Sequence, residues 1–161
     1  MAEVVVIEWK RYRDFFNLWT SRGSEPQLIH VIGECHHCYV GSVGSKGGSG
    51  GLRVRYEKQY LDRARAIFGR QAPDDQPAFA GIFQSGTYLD GRHIRAAEAQ
   101  VQQAFVARFG ATAALFKPEQ VSDDIEFRHV GEVPDFLKRS HGGELPCAGD
   151  APPRPREREL N

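Results

Sequence analysis

A chain of 161 residues with 40% hydrophobic and 26% charged side chains has the size and make-up of one globular domain. At that length about 70% of the unfolded chain's surface can be buried, so neither disulfides nor a metal is needed merely to fold it. The 21 basic and 21 acidic residues cancel, which argues against extensive nonspecific attraction to nucleic acid. No apolar run approaches the roughly 18 residues of a membrane span, the N-terminus lacks a basic-then-apolar leader, and three cysteines make an odd count. The expectation is a cytoplasmic protein with free thiols.

Residues 1–26 read as an N-terminal helical extension. Val4 to Ile7 suits a short strand, after which Trp9, Tyr12, Phe16 and Trp19 recur at helical spacing until Arg22-Gly23-Ser24-Glu25-Pro26 ends the run. These aromatics are expected to cover a sheet. Leu28 to Ile32 and Tyr39 to Val43 are β-branched runs parted by a few polar residues, the pattern of a hairpin. A loop from Gly44 to Gly51 holds five glycines in eight residues, and helical spacing then links Leu52, Tyr56, Tyr60, Ala64 and Ile67.

After a loop at 71–77, Ala78 to Gln84 reads as a buried third strand weakened by Gly81. Asp90 is placed to cap a helix in which Ile94, Ala97, Val101, Ala104 and Phe105 share a face, with Gly110 as its stop. Asp124 to Val130 alternates charge with apolar side chains and suits an edge strand. The domain should span 27–145, with a Pro-, Arg- and Glu-rich disordered tail over 146–161.

Hairpin, glycine loop and helix in that order resemble the opening of the GIY-YIG nuclease family. Tyr39-Val40-Gly41 matches the second tripeptide, while Ile29-His30-Val31 occupies the first, with His30 in place of tyrosine. Gly51-Leu52-Arg53-Val54-Arg55-Tyr56 is similar to the family's loop-to-helix junction and selects Arg55 as its arginine. The resemblance covers roughly Leu28 to Phe116. It implies an α+β fold in which a small antiparallel sheet, the hairpin plus a third strand, is flanked by helices. It also implies an endonuclease that hydrolyses DNA phosphodiesters with one Mg²⁺ or Mn²⁺.

The residues can be weighed on their own chemistry. At about 100° per residue Glu98 projects about 40° from Ile94 and about 20° from Phe105, inside an apolar stripe, where an unpaired carboxylate is costly. It must meet a cation or line a cleft; the resemblance makes it the metal ligand. The resemblance gives Arg55 the charge building on the phosphoryl oxygens, a task suited to a guanidinium's fork of donors. Tyr39, aided by His30, would position or deprotonate the attacking water. Lys46 on the glycine loop is placed to touch a phosphate. Residues 46–70 hold seven basic and two acidic side chains, a local net charge near +5, so Arg53, Lys58 and Arg63 join Lys46 as candidate DNA contacts.

Gln59 stands where many family members have histidine, and the chain's two asparagines, Asn17 and Asn161, leave none shortly after the second long helix. Two alternatives therefore stay open: the same fold as a catalytically impaired DNA-binding module, and a zinc-stabilised interaction protein using Cys35-His36-His37-Cys38. Four adjacent residues at a hairpin tip cannot all surround one ion, and His129, His141 and Cys147 supply no second ligand pair by spacing. The glycine loop lacks the closing Gly-Lys-Ser/Thr of a nucleotide-binding loop.

Overall fold

The computed structural model describes residues 3–33, 37–44, 52, 76–84, 89–121 and 124–138. Its described elements, labelled in chain order, are β1 (Glu3–Tyr12), α1 (Phe15–Arg22), β2 (Leu28–Ile32), β3 (Tyr39–Val43), β4 (Ala78–Phe83), α2 (Gly91–Phe109) and β5 (Ile125–Gly131). Single 3-10 turns at Ala111–Ala113 and Asp135–Leu137 follow α2 and β5. The strands form a five-stranded sheet in the order β3-β2-β4-β1-β5. The fold is α+β, and its sheet is larger than expected and mixed. The β2–β3 hairpin and β4 pair antiparallel as the third-strand reading requires, but β1 pairs antiparallel with β4 and parallel with β5.

The N-terminal segment corrects the helical reading of Trp9 and Tyr12. Both belong to a ten-residue strand that lies between β4 and β5, so the segment is built into the sheet. Its two-residue alternation decides the matter: Val5, Ile7 and Trp9 are buried while Glu8 and Lys10 are exposed. The three-residue step from Trp9 to Tyr12 only mimics a helix. The true helix begins at Phe15, where Asp14 accepts from the Asn17 amide at 2.9 Å as its N-cap.

Register explains Gly81 within β4. Gly81 faces Trp9 across the strands, and a Cβ there would stand 2.8 Å from Ile7 Cγ2 and 3.0 Å from Trp9 Cη2. The missing side chain gives the indole its place in the core. Trp9 is then pinned by its polar end, since Nε1 donates to His129 Nδ1 at 2.9 Å and ties β1 to β5. Burial holds the His129 pKa below its ordinary value, which keeps the ring neutral and Nδ1 able to accept.

α2 lies across the face of the sheet that carries Val5, Ile7, Val31 and Val40. Its apolar stripe of Ile94, Ala97, Val101 and Phe105 is fully buried, and Phe105 meets Phe116 and Phe136 edge-on. At its start Asp90 accepts from the Arg92 and His93 amides, the cap expected from the sequence. The His93 ring donates to two carboxylates, Nε2 to Glu3 at 2.9 Å and Nδ1 to Asp90 at 2.8 Å, and so joins α2 to the first residue of β1. The bond to Glu3, with that to Asp90, raises the His93 pKa from its ordinary 6.5 against an opposing effect of burial. The Asp90 carboxyl is lowered in return, mainly by the His93 side chain.

A raised histidine pKa stabilises the fold fully below the unfolded value and loses that contribution as pH rises through the folded value. The difference in Tm between the protein and its His93→Gln variant is therefore expected to be largest at mildly acid pH and to shrink above neutrality. A difference that is flat across that range would show the imidazolium clamp to be without effect.

Candidate functional site

The hairpin places the matched tripeptide at one edge of the described sheet. His30 pairs with Gly41 and Ile32 with Tyr39, so His30, Tyr39 and Gly41 share one face of the sheet. The His30 and Tyr39 rings stack with centroids 5.7 Å apart and an interplanar angle of 29°. Both are buried. Gly41 permits this stack: a Cβ there would lie 2.7 Å from His30 Nε2 and 3.0 Å from Tyr39 Cε1. The glycine of the tripeptide is thus a packing requirement for the two rings on either side of it.

Ser42, the next residue, points to the opposite face, and there it meets α2. Its hydroxyl makes a short hydrogen bond to Glu98 Oε2. Glu98 Oε1 accepts from Gln102 Nε2 at 3.2 Å, and the same amide group donates to Val40 O at 3.3 Å. The Gln102 carbonyl accepts from the Glu119 amide at 3.2 Å, so every polar atom of this buried side chain is engaged. Glu98 is half-buried. The result is a carboxylate whose two oxygens are each held by a neutral donor, at the seam between α2 and β3.

Tyr39 and His30 are therefore brought to each other, while the Glu98 carboxylate lies across the sheet from their rings. Pleating is the reason: Gly41 and Ser42 are neighbours in the chain and must project to opposite sides. Lys46, Arg53, Arg55, Lys58 and Arg63 lie outside the described residues, as do the helix expected from Leu52 onward and the C-terminal tail; Leu52 itself is buried.

Ser42 and Gln102 are the site residues that reading the sequence alone missed. Gln102 stands four residues after Glu98, one helical turn away on the same face, and that spacing is a usable signal. For Ser42 the signal exists only once the hairpin register is known. No protein-family model, curated protein or solved structure matches this chain. No helix of the described residues is long and apolar enough to cross a membrane.

Metal-ligating chemistry at the hairpin tip is constrained by Cys38. It is buried, and its backbone bridges to Ala114, with Cys38 N donating to Ala113 O at 3.0 Å and Leu115 N to Cys38 O at 2.8 Å. Cys35 and His36 lie outside the described residues. Among the described residues no three His, Cys, Asp or Glu side chains gather around one point. Magnesium is commonly held by one or two carboxylates, with water and substrate phosphate completing its shell, so the Glu98 side chain is of a chemical type able to serve such an ion.

The stack around Gly41 gives a direct test. Gly41→Ala must push apart two buried rings, an overpacking that costs about 1–3 kcal/mol. Urea unfolding should show that loss, with an unchanged m-value; a variant as stable as the parent would mean that the rings do not close on this glycine.

Proposed function

We propose that the chain is a GIY-YIG-like endonuclease that hydrolyses DNA phosphodiesters, with Glu98 as the protein ligand of a single Mg²⁺ or Mn²⁺. One observation carries the reading: α2 lays an oriented carboxylate against the strand that bears Tyr39-Val40-Gly41, next to the tripeptide's last residue. The hairpin with a third antiparallel strand is compatible with it, the tripeptide lying on the second strand of that hairpin. So is the cluster of seven basic residues in 46–70, a stretch able to meet a phosphate backbone.

Within this reading Glu98 holds the ion, and the Ser42 hydroxyl and Gln102 amide fix the plane of its carboxylate. A divalent ion bound there would neutralise charge that builds on the phosphoryl oxygens during cleavage. Arg55 is proposed to share that task through its paired donors, and Lys46, Arg53, Lys58 and Arg63 to contact the DNA backbone. Tyr39 and His30 are left with a supporting part. Their stacked rings brace the edge strand from the side opposite Glu98 and fix where Ser42 stands.

The placement of the Tyr39 ring and the Glu98 carboxylate on opposite faces favours a second reading. With no phenol beside the carboxylate, the same fold would bind DNA without cutting it. Plasmid incubated with Mn²⁺ or Mg²⁺ separates the two. Under the nuclease reading the protein nicks the plasmid, Glu98→Ala reduces nicking by about 100-fold or more, and Ser42→Ala reduces it by about 10-fold through loss of the hydrogen bond that orients the carboxylate. Equal nicking by the protein and Glu98→Ala would remove Glu98 from the mechanism. Salt-sensitive binding in chelator with no nicking under either metal would favour the binding module.

A further inference from the structure

β5 ends the described sheet on one side, and no other described strand pairs with its outer edge. Its seven residues, Ile125 to Gly131, include neither proline nor lysine, the usual guards of an exposed edge. Which peptide groups face outward follows from one bond. Glu132 N donates to Trp9 O at 2.9 Å, so the even-numbered residues beside it turn their backbone groups toward β1. By alternation Ile125, Phe127 and His129 turn theirs away from β1. On the side facing β4, Val6 O accepts from Gln84 N at 2.8 Å, which fits the same alternation on β1.

We propose that this edge pairs antiparallel with β5 of a second copy of the chain, about a two-fold axis at Phe127. Charge selects the register. Outward groups can also face each other in pairings centred on Glu126 or on Arg128, but these set a glutamate against its own copy or an arginine against its own copy. Centring on Phe127 sets each Glu126 opposite the partner's Arg128, twice over, and exchanges two hydrogen bonds between the Phe127 peptide groups. Glu126 and Arg128 then occupy the non-hydrogen-bonded positions, where facing side chains approach most closely. Their side chains are 53% and 63% exposed, and the 3.1 Å contact between them within one strand leaves both heads open to a partner. The pairing is isologous, as a closed dimer requires. It joins the two sheets into one and does not depend on the nuclease reading.

Sedimentation velocity of the full chain over a concentration series tests this. The protein should move from monomer to dimer, and Glu126→Arg or Arg128→Glu alone should weaken dimerisation by about tenfold or more, because each places like charges opposite one another. Mixing the two variants should restore association, since each chain then presents to the other the charge it lacks. The double exchange Glu126→Arg/Arg128→Glu should dimerise by itself, and circular dichroism confirms that all four chains are folded. A chain that stays monomeric at every concentration would overturn the proposal, whatever covers the edge. A dimer indifferent to both single exchanges would place association on another surface and overturn it equally.

Discussion

The pleat of β3 governs what this molecule can do. Five residues, Tyr39 to Val43, alternate between two faces, and each face has a different partner. Tyr39 and Gly41 look toward His30, whereas Ser42 looks toward α2 and holds Glu98. A slip of one residue would exchange these faces, burying a serine beneath the rings and turning a tyrosine into the helix. The register is held by steric fit. The space that Gly41 leaves is filled by an imidazole and a phenol, so any other pairing either opens a cavity or forces a clash.

The same alternation explains what could be read in the chain before its fold was known. The hairpin, the third strand, the Asp90 cap and the Gly110 stop each depend on neighbours within a few positions, and each is present. Glu98 was legible as a carboxylate that needed a partner because helical periodicity alone sets its direction. What was hidden depended on pairing across long stretches of sequence. Ser42 joins Glu98 over 56 positions and Trp9 joins His129 over 120, distances at which local spacing carries no signal. β1 shows how local spacing misleads. Aromatic residues at 9, 12, 16 and 19 satisfy a helical step, and only the buried alternation of Val5, Ile7 and Trp9 reveals that the first two belong to a strand.

β1 also changes how the hairpin unit is supported. A hairpin with one further strand leaves β4 with an open side, and β1 closes that side along six residue pairs. Trp9 does most to join the layers: its indole fills the space beside Gly81, and its Nε1 bonds to His129 on the far strand. The parallel partner β5 thus depends on a residue two strands from the hairpin. A structural change at His129 would be felt at the sheet edge before it reached Glu98.

Two histidines set opposite demands on the two sides of β1. His93 joins Glu3 to the start of α2 between two carboxylates, while His129 accepts from Trp9. Burial depresses one and carboxylates elevate the other, so the fold favours the protonated ring at His93 and the neutral ring at His129. Acid weakens the attachment of β5, and alkali weakens the attachment of α2. Because α2 carries Glu98 and β5 ends the described sheet, acid and alkali act on different parts of one fold. The helix that carries Glu98 is thus secured from the acid side and the attachment of β5 from the alkaline side.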